Sequence, residues 1–298
     1  MTLRKPMANS SVLIAGMARD VAPFIKGEIE RLLHCTKSFK KVQVLVIESD
    51  SSDSTLQELN ALKLGHPNLN YVSFGKLSDA IKSRTERIAY CRNQILKSLQ
   101  ENALYADLDF VMLADLDGLN NLLTPQKINQ CWDVKENWDG IFANQADHYY
   151  DIYALRHPDW SPSDCGAQQL RLKSILGRSM AHHLAVESKQ ICLSEKLGLI
   201  EVESAFGGFG IYKKAAFLSG AYVGSENQAD ICEHVPFHRA LRAHGHRLYI
   251  NPALINCDQP INLSVRPKRR LVLNAIKTVG RSLLGRARFN KYLDLLQE

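Results

Sequence analysis

Short apolar runs alternate with amphipathic segments between residues 11 and 115. The runs are rich in β-branched residues, whereas the segments between them repeat apolar residues at helical spacing. The predicted strands are 11–15, 42–47, 69–74 and 110–114, and the predicted helices are 22–34, 56–62 and 78–99. Short strands that alternate with helices form parallel sheets with right-handed crossovers. The pattern therefore predicts an α/β fold with a mostly parallel central sheet.

The pattern is less regular after Trp132. Its predicted elements are a strand at 140–144, a strand that leads from a glycine loop at 206–210 into Tyr212, a helix at 235–244, and a strand at 247–250 that ends at Asn251 and Pro252. The segment 145–195 is rich in His, Tyr, Asp and Pro. It predicts variable loops and helices that face a substrate.

Composition places the chain among globular proteins, because its 298 residues are 45% hydrophobic and 23% charged. Its seven cysteines are widely spaced and include no CxxC pair. This usage is typical of a reducing compartment, so we expect a cytoplasmic protein without disulfides. No apolar run has the length of a signal-peptide core or a membrane span, and we expect neither.

Positive charge is concentrated near the C-terminus. The net charge is +6, and residues 266–291 carry nine basic side chains and no acidic one. In helical projection the basic and apolar residues occupy nearly opposite stripes, which is typical of an interfacial helix. The segment 263–298 is therefore predicted to be a basic amphipathic helix that binds an anionic membrane surface, the alternative being a helix packed on the body of the protein. No nucleic-acid motif accompanies the charge, and we expect no nucleic-acid partner.

Polar clusters follow two predicted strands, at 48–55 and 115–118. In open α/β sheets ligands bind beyond the carboxyl ends of the strands, so both clusters should face one crevice. Asp115 and Asp117 can hold Mg²⁺ or Mn²⁺ through hard oxygen ligands. Two alternatives remain open: a solvated acidic turn, or the nucleophile motif of haloacid-dehalogenase-like phosphatases with Asp115 as the nucleophile.

Further polar side chains are suited to a nucleotide. Carboxylates such as Glu48 and Asp50 can bind a base or a ribose, whereas residues 53–55 can simply cap the next helix. Arg84, Arg87 and Arg92 lie on the helix that runs towards the aspartate motif. Guanidinium groups pair with phosphate oxygens, although arginines on a helix are commonly surface charge.

The order of these motifs resembles a GT-A-fold glycosyltransferase, and in particular the fungal capsule-associated α-mannosyltransferases. The motifs are Gly16-Met17-Ala18-Arg19-Asp20, Glu48-Ser49-Asp50-Ser51-Ser52-Asp53, Arg84 to Arg87 with Ile88-Ala89-Tyr90-Cys91-Arg92-Asn93, Asp115-Leu116-Asp117, and a Gly-Gly loop. The resemblance covers roughly residues 11–256. It implies a single Rossmann-like GT-A domain over residues 1–262, with a nucleotide-binding half at about 11–120 and an acceptor-binding half at about 121–262.

The resemblance also implies roles for residues of the first half. Asp50 is expected beside the nucleoside, Asp115 beside the ribose and the metal, and Asp117 as the principal metal ligand. Arg92 is a candidate diphosphate contact, and Arg19, Glu48 and Arg84 are further candidates for donor binding. The third metal ligand of the family is often a His after a late strand. This chain has Asp258 there, which is our candidate.

The acidic motif that faces the acceptor in these folds corresponds to 230–234. Glu233 is the candidate general base for the acceptor hydroxyl, or a binding group for it. His234 is a candidate catalytic residue, with a structural histidine as the alternative. Gly207 and Gly208 would let the backbone approach a sugar closely, or form an ordinary turn. Because Glu-His replaces the Glu-Asp of many inverting relatives, the stereochemistry stays open.

The predicted function is a metal-dependent transfer of a hexose from a GDP- or UDP-sugar to a glycan or a lipid-linked oligosaccharide, in polysaccharide or lipopolysaccharide synthesis. The enzyme alternatives are the phosphatase and a nucleotidyltransferase, and the chain lacks the Gly-rich basic N-terminal loop of the latter. A non-catalytic membrane-associated protein that binds nucleotide sugars is a third possibility. The oligomeric state is not predicted.

Overall fold

A computed structural model describes residues 5–227 and 229–258. Its strands are β1 (Ser11–Ala18), β2 (Lys41–Glu48), β3 (Leu69–Ser73), β4 (Phe110–Asp115), β5 (Gly140–Gln145), β6 (Ile200–Glu201), β7 (Phe209–Lys213), β8 (Ser225–Glu226), β9 (Ala229–Asp230) and β10 (Leu248–Cys257). Its α-helices are α1 (Ile25–Cys35), α2 (Thr55–Gly65), α3 (Arg84–Glu101), α4 (Pro125–Asp133), α5 (Cys165–Ala185), α6 (Lys214–Phe217) and α7 (His234–Ala243).

Eight strands form one sheet in the order β3-β2-β1-β4-β7-β5-β10-β6, and β8 pairs with β9 separately. The pairs β1/β2, β2/β3, β1/β4 and β5/β10 are parallel. Strand β7 is antiparallel to β4 and β5, and β6 is antiparallel to β10. The predicted α/β fold with a mostly parallel central sheet is therefore confirmed.

Alternate residues of the strands pack on opposite faces of the sheet, as the two-residue period of a strand requires. On β1, Leu13 and Ala15 join one buried cluster, and Val12 and Ile14 join the other. Both clusters continue into the second half of the chain, where the neighbours Ile141 and Phe142 of β5 again belong to different clusters. The two halves thus share one sheet and both of its cores.

Helix α3 begins later than the sequence pattern predicts. The Ser83 hydroxyl accepts a hydrogen bond from the backbone N–H of Glu86, which caps the helix at Arg84. The preceding residues Leu77–Asp79 form a separate 3-10 turn. A side-chain oxygen that satisfies a free N–H of the first turn stabilises a helix start. The cap therefore fixes the positions of Arg84 and Arg87 in the first turn of α3.

The last strand corrects the prediction that it ends at Asn251 and Pro252, because β10 continues to Cys257. Its pairing with β5 shifts register between Ile250 and Ile255. Proline has no N–H for a ladder hydrogen bond and is tolerated at such irregularities. The Pro252 carbonyl instead accepts a hydrogen bond from the Asn144 side chain. The strand therefore carries Asn256 to the edge where the other parallel strands end.

The predicted basic amphipathic segment, 263–298, lies outside the described residues. Within 5–227 and 229–258, no helix combines the length and the apolar character needed to cross a membrane.

Candidate active site

A crevice of about 200 Å³ opens at the carboxyl ends of β1, β2 and β4. Polar and charged residues on its walls come from the ends of these strands and from α3. They are Arg19, Ser49, Asp50, Arg84, Arg87, Asp115 and Asp117. The sheet order puts β2, β1 and β4 side by side, so polar clusters separated by more than sixty residues in the sequence meet here. This is the edge at which the sequence predicts ligand binding.

Asp50 follows β2 in a left-handed conformation, with φ 61°. Its Oδ1 accepts a hydrogen bond of 2.8 Å from the backbone N–H of Ser78, and its Oδ2 lies 3.5 Å from Nε of Arg87. Burial raises the pKa of this carboxyl, but the hydrogen bonds from Ser78 and the charge of Arg87 outweigh it, so the pKa is lowered. Asp50 is therefore held as an anion on the crevice wall.

Glu48 is buried beneath this loop and is not on the crevice wall. Its carboxylate accepts hydrogen bonds from the backbone N–H of Ser51 and from the Ser73 hydroxyl. The structure therefore places Glu48 where it shapes the loop after β2. Arg19 and Arg84, by contrast, are exposed side chains that line the crevice.

Asp115 stands at the end of β4 with its backbone fixed on both sides. Its N–H donates to the carbonyl of Gly208 at 2.8 Å, and its carbonyl accepts from the Asn120 side chain at 2.7 Å. Its side chain is 31% exposed towards the crevice. Burial raises its pKa to about 7. The charge of Arg92 acts in the opposite direction, whereas nearby carboxylates, chiefly Asp117, raise the pKa further. Asp117 is exposed.

Arg92 lies behind Asp115, with only 5% of its side chain exposed. Its Nε donates to Oε1 of Glu233 at 2.7 Å, and one of its terminal nitrogens is 3.7 Å from Oδ1 of Asp115. The guanidinium carbon also lies 5.1 Å from the ring centre of Phe206 and 5.7 Å from that of Tyr222. Arg92 therefore joins β4 to the start of α7 from below the crevice, rather than lining it.

His234 begins α7 and is buried. Its ring stacks on Phe206 with the ring centres 4.1 Å apart. Both ring nitrogens are buried and find no hydrogen-bond partner among the described residues. Burial, and then the charge of Arg92 and the neighbouring His238, hold its pKa well below 6.5, so the imidazole is neutral. Its geometry is that of an aromatic packing group beside Glu233.

Gly207 and Gly208 take positive φ angles of 69° and 82°. A Cβ on Gly207 would lie 2.8 Å from the carbonyl oxygen of Ala143, and one on Gly208 would lie 3.0 Å from the Tyr150 hydroxyl. The backbone conformation and contacts within the protein thus require glycine at both positions. Through the carbonyl of Gly208, this loop supports Asp115.

Asp258 is exposed, and its Oδ1 accepts a hydrogen bond of 2.7 Å from the Asn121 side chain. Among the described residues, the one group of three or more His, Cys, Asp or Glu side chains whose ligand atoms lie within 4.8 Å of one another is elsewhere. Asp115, Asp117 and Asp258 are therefore not gathered that closely. The role of Asp258 as third metal ligand stays a prediction.

Sequence reasoning missed Asp151. Its Oδ2 accepts from the N–H of Gly207 at 3.0 Å, and its Oδ1 accepts from the N–H of Ala154 at 3.3 Å. Burial is the main reason that its pKa is raised. The only signal was the polar run 146–151, in which no spacing distinguishes one residue. Arg87 was recognised only as one of three arginines on a helix.

The sequence matches no family model and no curated protein. Solved structures similar to the chain include a mannosyltransferase from Pyrobaculum calidifontis in complex with GDP-Man and Mn²⁺ (13% identity, TM-score 0.44, 99% of this chain and 69% of that one). Another is TarS 1-349 of S. aureus in complex with UDP-GlcNAc (12% identity, TM-score 0.45, 92% of this chain and 66% of that one). A third is glucosyl-3-phosphoglycerate synthase from Mycobacterium tuberculosis in complex with UDP (13% identity, TM-score 0.39, 95% of this chain and 81% of that one). The present chain covers 57% of the length of TarS 1-349 in another structure of that protein.

Proposed function

We propose that this chain is a GT-A-type glycosyltransferase that binds a nucleotide-diphosphate sugar in the crevice and transfers its hexose to a hydroxyl of a glycan acceptor. One observation carries the proposal: Asp115 and Asp117 share a crevice with three arginines and with Asp50. A diphosphate needs positive charge, and a nucleoside needs a hydrogen-bond acceptor for its ribose or base. The crevice offers both kinds of group, and carboxylates that suit a divalent metal lie beside them.

The donor set fits a hard divalent cation. The charges of Asp117, Asp151 and Glu233 all raise the pKa of Asp115, against the lowering effect of the Arg92 guanidinium. Burial is the largest cause of the raised pKa of Asp115, and the neighbouring carboxylates add to it. Asp115 and Asp117 would hold Mg²⁺ or Mn²⁺, ions that prefer such oxygen ligands. When bound, the ion stabilises negative charge on the leaving diphosphate.

The protein's own side chains bind and orient the donor. Arg19 and Arg84 are exposed side chains that line the crevice and can approach phosphate oxygens. Arg87 donates to the carbonyls of Ile81 and Lys82 at 2.8 Å each, which fixes it beside Asp50. Asp50 then accepts hydrogen bonds from the ribose or base. Such preorganised charges stabilise developing charge without having to rearrange during the reaction.

In the proposed reaction Glu233 receives the proton of the acceptor hydroxyl or binds that hydroxyl. Arg92 holds Oε1 of Glu233, which leaves Oε2 for the acceptor. His234 then shields this carboxylate by packing on Phe206. The arrangement serves either a general base or a group that only binds the hydroxyl, and these two roles differ in the pH dependence of kcat.

The resemblance to the fungal capsule-associated α-mannosyltransferases favours mannose as the hexose. A lipid-linked acceptor on an anionic inner leaflet in the cytoplasm would match the basic segment 266–291, since polybasic segments bind such surfaces. Deletion of residues 266–298 should abolish co-sedimentation with anionic liposomes while leaving donor binding intact. Unchanged liposome binding by the truncated chain would remove the membrane from the proposal.

The reaction itself is tested by nucleotide release. Purified protein is incubated with GDP-mannose, UDP-glucose or UDP-GlcNAc, with Mn²⁺ or with EDTA, and free nucleoside diphosphate is measured. The proposal expects metal-dependent release from one donor, even by slow hydrolysis. Phosphate release from a simple phosphomonoester, without turnover of any sugar nucleotide, would support the phosphatase instead.

A further inference from the structure

A second group of metal-binding side chains lies outside the crevice, beyond the end of β5. Asp147, His148 and Cys192 each point one ligand atom into a common space, with all three atoms within 4.8 Å of one another. Nδ1 of His148 is 2.9 Å from Oδ1 of Asp147, and the thiol of Cys192 is 3.5 Å from that same oxygen. The proposed function uses none of these residues.

The backbone holds the group together. His148 and Cys192 face each other in an antiparallel bridge, and the N–H of Tyr149 donates to the carbonyl of Ile191 at 2.9 Å. Nδ1 of His148 is buried and, apart from its 2.9 Å ion-pair contact with Asp147, has no hydrogen-bond partner among the described residues. A nitrogen in that state, with a carboxylate oxygen and a thiol within 4.8 Å of it, is suited to a cation.

We propose that Asp147, His148 and Cys192 form a binding site for a zinc-like divalent cation, separate from the oxygen-rich site at Asp115 and Asp117. Thiolate and imidazole ligands select Zn²⁺ over Mg²⁺ or Mn²⁺. Ligand atoms about 2.0–2.3 Å from a tetrahedral zinc ion lie roughly 3.3–3.7 Å apart. The thiol of Cys192 is 3.5 Å from Oδ1 of Asp147, and Nδ1 of His148, at 2.9 Å, would move outward by a few tenths of an ångström to admit the ion. Three protein ligands leave the fourth position for water.

The ion would cross-link two loops. Asp147 and His148 follow β5, whereas Cys192 belongs to the segment that follows α5. Cys192 is also the one exposed cysteine of the seven, the other six being buried or half-buried. A bound ion therefore stabilises the native chain by mass action, since the unfolded chain does not bring the three groups together.

The test is titration of the reduced, full-length protein with Co²⁺ and with Zn²⁺. Wild-type protein should show a thiolate-to-cobalt charge-transfer band that one equivalent of Zn²⁺ removes, and Zn²⁺ should raise its Tm. Cys192→Ser should abolish the band. His148→Ala should weaken Zn²⁺ affinity by at least the roughly 10- to 100-fold that loss of an outer-shell partner costs.

Two control variants separate this site from the others. Cys232→Ser removes a half-buried thiol, and Asp117→Ala removes a carboxylate of the crevice; both should keep the band. A wild-type protein without the band, or a Cys192→Ser protein that retains it, would overturn the proposal. Because Asp117→Ala tests the donor site separately, failure of one proposal leaves the other intact.

Discussion

The two halves of the sheet present their charged groups in opposite ways. In the first half, Arg19, Asp50 and Asp117 stand at strand ends, on the wall of an open crevice. In the second half, Glu233 and Asp151 are enclosed, and Glu233 is tied to Arg92, which reaches across from α3. Arg19 and Asp117 are exposed and can meet a ligand directly, whereas Asp50, Glu233 and Asp151 are each held by bonds within the protein. The contrast predicts donor binding by the exposed residues of the crevice, and an acceptor role for Glu233 that depends on how Arg92 holds it.

Arg92 joins buried charged groups of the two halves, Asp115 and Glu233, so its loss should have the largest effect. Arg92→Met leaves the buried Glu233 carboxylate without its partner. Breaking a buried ion pair in this way costs about 3–5 kcal/mol of the free energy of unfolding. Urea denaturation measures this loss. Replacing both partners, as Arg92→Met with Glu233→Leu, should restore part of it; a loss below about 1 kcal/mol in the single variant would mean that the pair does not join the halves.

Asp117→Ala removes an exposed carboxylate from the first half and should spare the fold. We expect kcat with the preferred donor to fall by about 10²–10³, as when one electrostatic group is lost from an active site. The matched control is Asp107→Ala, an exposed aspartate before the other end of β4, which should leave kcat unchanged. Equal rates in the two variants would contradict the assignment of Asp117.

Arg87→Gln removes a charge that faces both Asp50 and the crevice. Hydrogen bonds to charged groups contribute about 1.5–3 kcal/mol, so donor affinity should fall roughly 10- to 100-fold. Isothermal titration calorimetry gives the Kd. Lys97→Gln, on the same helix but 62% exposed, is the control and should bind the donor like the wild type.

The buried His238 of the second half makes the stability of the fold depend on pH. Its ring forms hydrogen bonds of 2.9 Å with the hydroxyls of Ser204 and Tyr212. Burial is the main cause that lowers its pKa to about 3, and the charge of Arg92 adds to this effect. The unfolded state therefore binds one more proton between pH 6.5 and about 3, and stability falls as the pH drops through this range. The slope of the free energy of unfolding approaches roughly 1.4 kcal/mol per pH unit for one group.

Denaturation midpoints between pH 7 and pH 5 test this slope. His238→Asn should be less stable at pH 7 but should have a shallower pH dependence than the wild type. His244→Asn, which changes an exposed ring on the same helix's C-terminal side, should keep the wild-type slope. A wild-type slope in His238→Asn would show that the buried ring does not control the pH response.

The sequence predicted the sheet because hydrophobic periodicity reports burial directly: 42–47 and 110–114 became β2 and β4. It predicted the crevice because parallel strands end at one edge, which brought Asp50 and Asp115 together. It could not predict that Glu48 and Arg92 are buried, since their partners Ser73 and Glu233 are distant in sequence. Asp151 was missed for the same reason: its N–H donor, Gly207, is supplied by tertiary structure.

The central claim is that the crevice binds a nucleotide-diphosphate sugar through a divalent ion on Asp115 and Asp117. The most direct measurement is the Tm of wild type and Asp117→Ala with UDP, GDP, CMP and their sugars, each with and without Mn²⁺. A saturating ligand at 100 times its Kd stabilises by about 2.7 kcal/mol. We expect a Tm rise with one nucleotide that needs Mn²⁺ and is lost in Asp117→Ala. No rise with any nucleotide, or an equal rise in the variant, would contradict it.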